Sequence, residues 1–202
     1  MKTMLRISAL AAVLAAVAVA GPANAADPYK DLSIEQRAMV EQVAPAPAST
    51  TTSGNSLSLT TLLDRDEGTY RPGETVALTV KSTEDAYIWV FDTGTSGKVH
   101  QLFPNEYAAD NFIRAGHSLT LPDAQDDYEF VVSQPAGVEL LTVIASPNNK
   151  PLTQNFIDKK TSAGPFLALL GTAASLSKDL HITIQQDHPG AVAHHQVFRI
   201  VE

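Results

Sequence analysis

The 202-residue chain carries 14 basic against 22 acidic side chains, a formal charge of −8, and no cysteine. So acidic a chain does not supply the clustered Lys and Arg that phosphate backbones or anionic membrane surfaces require, and nucleic acid is not an expected partner. The missing cysteine excludes disulfides, a thiol nucleophile and the lipid-bearing cysteine of a bacterial lipoprotein.

Residues 1–25 read as a secretory signal peptide: Lys2 and Arg6, an apolar run from Ile7 to Ala20, then the small residues Ala23, Asn24 and Ala25. Cleavage is expected after Ala25. The run is shorter than the ~20 residues that cross a bilayer, and Gly21-Pro22 interrupts it, so no membrane span is expected after cleavage. Cleavage removes Lys2 and Arg6 and no acidic residue, which takes the charge from −8 to −10. The Ala-rich leader and the lack of cysteine favour the periplasm, with extracellular release as the alternative.

Residues 26–56 divide into a short helix and a linker. Asp27 to Val43 is predicted helical, with Ser33 as cap and Gln36 completing a capping box. Ala44 to Ser56 is built of Pro, Ala, Ser, Thr and Gly without hydrophobic period. The sequence leaves open whether the helix docks on the domain or acts as a tether.

From Leu57 the period becomes two. Leu57, Leu59 and Leu63 alternate with Ser58 and Thr60, and Val76, Leu78 and Val80 alternate with Thr75, Ala77 and Thr79, as in strands with one wet face. Arg71-Pro72-Gly73 is the turn between them. Ala86 to Phe91 is apolar on both faces and requires cover on both sides. Thr93 to Ser96 turns it into Gly97 to Phe103, a hairpin. Further strands are expected at Ser118–Leu121, Tyr128–Ser133 and Val138–Ala145. In the tail, Pro165 opens an expected amphipathic helix through Phe166, Leu169, Leu170 and Ala173 to Lys178. His181–Gln186 and Gln196–Val201 are expected as closing strands around Pro189-Gly190.

The fold class expected is mainly β, an antiparallel β-sandwich, immunoglobulin-like or related. A short N-terminal helix and a C-terminal amphipathic helix packed on the sheet complete it. One domain is expected over 57–202, a core at 57–150 followed by the helix and closing strands at 151–202.

Candidate chemistry is thin. His181, His188, His194 and His195 crowd the tail, but His194 and His195 would point to opposite faces of a strand, and no metal site is expected. Asp64, Asp66 and Glu67, like Asp123, Asp126 and Asp127, read as acidic turns; the first misses the EF-hand template at Thr69 and Thr75. Ser175-x-x-Lys178 and Lys160-Thr161-Ser162 occur in the wrong order for penicillin-recognising enzymes. No nucleophile elbow, zinc helix, Walker loop or dinucleotide fingerprint is present, so no catalytic residues and no cofactor are expected. The densest segment is Trp89 and Phe91 with Leu102 and Phe103-Pro104-Asn105-Glu106-Tyr107. It reads either as core plus a capped loop or as an aromatic rim for a protein or peptide partner, with Trp89, Phe103, Pro104, Asn105, Glu106 and Tyr107 as the binding residues.

The same segment carries a family pattern. Tyr70-Arg71-Pro72-Gly73-Glu74, Ala86-Tyr87-Ile88-Trp89-Val90, Gly97-Lys98-Val99 and Leu102-Phe103-Pro104-Asn105, followed by Asn111, Ile113 to Gly116, Pro122, Pro135 to Glu139 and Ala145-Ser146, resemble the family named domain of unknown function 4384. The resemblance covers about residues 57–150. Members occur as extracytoplasmic domains and joined to caspase-like peptidase or protein kinase domains, so the resemblance implies an accessory or recognition module. It implies no catalytic residues.

The expected function is therefore an exported, non-enzymatic binding or scaffold module of the bacterial cell envelope that recognises a protein or peptide. Two alternatives stand beside it. One is a small envelope hydrolase using Asp or Glu, such as Glu106 and Asp110. The other is a structural or chaperone component that receives a strand at a sheet edge.

Overall fold

Strands apolar on both faces need partners on both faces, and the two such segments of this sequence lie side by side at the centre of the fold. The structure, a computed structural model, describes residues 27–43, 57–157 and 166–202. The expected signal peptide, the linker 44–56 and Pro165 lie outside the described residues.

In chain order the elements are α1 (Ile34–Gln42), β1 (Leu59–Leu63), β2 (Thr69–Tyr70), β3 (Thr75–Val76), β4 (Leu78–Ser82), β5 (Ala86–Thr93) and β6 (Val99–Phe103). They continue with β7 (Phe112–Ile113), β8 (Ser118–Leu121), β9 (Phe130–Val131), β10 (Gly137–Ser146), β11 (Leu167–Ala168), α2 (Ala173–Asp187) and β12 (Val192–Ile200). The large sheet has the order β11-β6-β5-β10-β12-β2, with β7 pairing β5. Strands β1, β4 and β8 form a second sheet, and β3 pairs β9. All pairings are antiparallel except β12 with β2.

The large sheet is the middle of three layers. On one face Ile88, Val90, Phe103, Leu141, Val143 and Phe198 pack against Val76, Leu78, Val80 and Leu121 of the smaller sheets. On the other, Trp89, Phe91, Leu140 and Ile144 pack against Met39 and Val43 at α1 and Leu176 and Leu180 of α2. Alternate residues of β5 thus enter different cores, as the period of two requires.

Helix α1 forms where the capping box places it, with both reciprocal bonds between Ser33 and Gln36 present. Nine residues are too few for a helix to stand alone in water; docking holds this one. Leu32, Met39 and Val43 are buried, each contributing about 1.5–3 kcal/mol. Gln36, 1% exposed, donates from Nε2 to the Thr93 carbonyl at 2.9 Å and the Val138 carbonyl at 2.7 Å. The helix is therefore stitched to the ends of β5 and β10.

The β5–β6 hairpin turns through Gly97, whose φ of +76° lies in the left-handed region. A Cβ there would stand 2.8 Å from Cγ of Glu35. That close approach lets the Glu35 carboxylate accept from the Ala174 N–H at 2.8 Å, at the start of α2. A residue of α1 thus helps to cap α2.

The tail departs from its expected pattern. Leu167–Ala168 is a strand on the edge of β6, and the helix begins only at Ala173, after a Thr172–Ser175 capping box. It then runs through His181–Gln186, the segment expected as a strand, because Ala173, Leu176, Ser177 and Leu180 form one continuous buried stripe. The final strand starts at Val192 and pairs β10 along nearly its whole length. The expected strand at 128–133 is confined to Phe130–Val131.

Candidate functional site

The six residues expected to form an aromatic rim do not converge. Trp89 is 3% exposed and lies on the helix side of the sheet, its ring edge-on to His188 at 5.5 Å. Phe103 is 1% exposed in the opposite core. Between Val90 and Phe91 the β5–β6 pairing slips, so that Val90 opposes Phe103 while Phe91 opposes Gln101. Leu102 is the extra residue of the resulting bulge. Pro104 accepts from Gln101 Nε2 at 2.7 Å. Asn105, 6% exposed, donates to the Leu102 carbonyl and accepts from the Tyr107 and Ala108 N–H groups. This loop is shaped from within. Glu106, Tyr107, Ala109 and Asp110 are exposed on it, with Tyr107 59% exposed.

Tyr107 nevertheless leads somewhere. It stacks on Tyr128 at 6.2 Å; Tyr128 meets Phe166 at 5.9 Å, and Phe166 meets Phe130 at 5.6 Å. Burial pushes the Tyr128 hydroxyl up to about 12, so it stays protonated. Phe130 and Phe166 in turn wall a cleft of about 320 Å³, with Leu102, Leu141, Val132 and Phe198. The cleft opens where β9 and the chain after it cross the end of the large sheet. Val131, 54% exposed, forms its lip.

The polar end of the cleft comes from three adjacent strands. Asp92 on β5 stands opposite His100 on β6 and opposite Leu141 on β10, and directly opposed residues share a face. Glu139, two residues before Leu141, faces the same way and stands opposite Phe198 on β12. Asp92 borders both the 320 Å³ cleft and an adjoining hollow of about 310 Å³ that also contains Glu139, His100 and Lys98.

Asp92 is half-buried as a residue, but its carboxyl group is buried, and Oδ1 has no hydrogen-bond partner. Glu139 is 9% exposed. Burial raises both acids well above the carboxylate range. Next to burial, the charge of Asp92 raises Glu139 further, while the Thr95 N–H works against the shift. Two carboxyls this close and this dry do not both ionise at neutral pH, so at least one proton stays on the pair. Burial lowers His100, with the Lys98 charge as a smaller contribution, so the imidazole is neutral there. The arrangement can hold, accept or release a proton and can face a cation.

His188, His194 and His195 are used in packing. His194 Nδ1 meets Thr61 Oγ1 at 2.8 Å, and His195 Nδ1 meets Thr142 Oγ1 at 3.1 Å. His188 Nδ1 meets Ser146 Oγ at 2.9 Å under Trp89. The acidic turn at Asp64 is likewise spent, accepting from Tyr70 Oη at 2.7 Å and the Ala77 N–H at 2.9 Å. Trp89 and Pro104 border a separate hollow of about 260 Å³ on the helix side, away from the cleft.

Fold and cleft define a β-sandwich domain, backed by two helices, with a side-chain-sized cavity at one end. The model of the family Domain of unknown function (DUF4384) matches residues 69–149. The match runs from β2 through β10 and agrees with the motifs read from the sequence. Asp92, His100, Phe130 and Glu139 lie inside the match; Phe166, Phe198 and both helices lie outside it. Among curated proteins, none matches the chain. Among the described residues, no helix is long and apolar enough to cross a membrane.

Proposed function

We propose that this protein is an exported, non-enzymatic binding module of the bacterial cell envelope, working in the periplasm, that takes a side chain of a protein or peptide partner into the Asp92–Phe166 cleft. The observation that carries the reading is the cleft itself. An apolar cavity of about 320 Å³ with few polar groups at one end has the form of a recognition pocket. The aromatic path from Tyr107 supplies a rigid surface beside it. The signal-like leader supports export.

Selection of displayed random peptides on the full chain tests this. Val131→Arg places a long charged side chain at the lip without touching the core, and it should abolish binding of the selected peptides. If the selection yields no shared motif, or if V131R retains every selected peptide, the cleft is not the recognition site.

The Asp92–Glu139 pair favours a second reading, a small envelope hydrolase in which one carboxyl is protonated and the other ionised. It replaces the expected pair Glu106 and Asp110, which are exposed on the loop. Turnover of peptidoglycan fragments or peptides that disappears in Glu139→Gln would select it over binding.

A further inference from the structure

Resting on the binding reading, we propose that the cleft receives a lysine side chain of the partner: the four-carbon stem lies between Phe130, Phe166 and Leu102, and the ammonium meets the Asp92–Glu139 pair. Three observations lead there. The cavity is apolar along its walls and acidic at its end, which matches a side chain apolar along its stem and cationic at its tip. Asp92 Oδ1 is buried without a hydrogen-bond partner, although its carboxyl borders both hollows. An acceptor in that state is costly unless a donor arrives. Finally, none of the ion pairs among the described residues uses Asp92 or Glu139.

Charge balance follows. An entering ammonium stabilises the ionised form of the pair and so displaces a bound proton. The other titratable groups facing the pair are His100 and Lys98 on the β6 side. His100 is neutral near pH 7, while exposed Lys98 stays at the solvent side and opposes the incoming charge weakly. Lysine affinity therefore rises between pH 6 and pH 8.

The test uses the full chain and two millimolar probes, acetyl-Ala-Lys-Ala-amide and its norleucine counterpart, followed through amide NMR shifts at Asp92, His100 and Glu139. The expected result is at least tenfold tighter binding of the lysine peptide, stronger at pH 8 than at pH 6. That preference is lost in Asp92→Asn and Glu139→Gln, and both peptides are lost in Val131→Arg. Equal affinity for the two peptides in the wild type, a comparison that needs no variant to fold, overturns the proposal. So does a lysine preference that survives both carboxyl changes. Silence from both peptides overturns it too, yet leaves the binding reading intact if displayed peptides without a basic residue are still lost in V131R.

Discussion

Replacing Gln36 by Leu should release α1 from the sheet while leaving the sheet folded. The side chain makes three bonds from a buried position: Nε2 to the carbonyls of Thr93 and Val138, and Oε1 from the Ser33 N–H. Leucine keeps nearly the same volume and removes all three. A buried acceptor left without its donor costs ~1–3 kcal/mol, and loss of half the capping box costs ~1 kcal/mol. With two such acceptors, the Thr93 and Val138 carbonyls, the sum is about 3–7 kcal/mol. That rivals what Leu32, Met39 and Val43 contribute by burial, roughly 5–9 kcal/mol before the entropy of ordering the segment is subtracted. Little net docking energy remains, so the helix should leave, and on its own it is too short to persist. Hydrogen exchange reads the result directly. In Gln36→Leu the amides of 34–42 should lose protection by at least a hundredfold, while those of Leu140 to Ile144 keep most of theirs. Wild-type protection in α1 of a folded Gln36→Leu protein would show that the bonds to β5 and β10 do not hold the helix.

Gly97→Ala should lower stability by about 1–3 kcal/mol, since it combines a left-handed φ of +76° with a Cβ 2.8 Å from Glu35 Cγ; a denaturant midpoint equal to wild type would contradict this. His195 is held neutral, lowered to about 4 chiefly by burial and then by the neighbouring His194. Its depressed value means that stability present above pH 6.5 is lost as pH falls toward 4, by up to about 3 kcal/mol. Urea unfolding at pH 7 and pH 4, for the wild type and His195→Asn, isolates that share. The Asp92–Glu139 pair has the opposite sign. Raised carboxyls leave the folded state holding more protons than the unfolded chain above the ordinary carboxylate range, so their contribution falls as pH rises into the neutral and mildly alkaline region. Glu139→Gln should therefore gain on the wild type between pH 5 and pH 8, and a constant difference across that range would refute the shared-proton description.

Much of the fold was legible where the signal was local. Ser33 and Gln36 mark the start of α1 because a capping box is a contact within one turn. The double-faced apolar character of Ala86–Phe91 and Val138–Ala145 put both strands in the middle of a layered structure, where they are. The tail misled for a reason of the same kind. Ile182 and Ile184 alternate with polar neighbours and imitate a strand, but Ile182 is 50% exposed, and the helix is held by Ala173, Leu176 and Leu180 one and two turns earlier. Short apolar runs do not distinguish the two periods until the packing partner is known.

The candidate site was less legible. Aromatic density drew attention to Trp89 and Phe103, which the sheet sends to opposite cores. The better signal was a charge in the wrong place: Asp92 lies one residue before the end of a strand apolar on both faces, and Glu139 is the third residue of another. Either can be noticed in the sequence, but not that they meet. The matched family segment also lacks Phe166 and Phe198, which close the cleft from the tail.

Sequence alone determined the strand periods, the first helix with its cap and the family segment, because these depend on residues within a few positions of one another. Only the tertiary structure decided that Asp92 and Glu139 share one face, that Gln36 ties α1 to two strands, and that Tyr107 leads through three rings into a cavity. Those facts depend on which strands become neighbours and in what register, and register is set by the packing of whole layers.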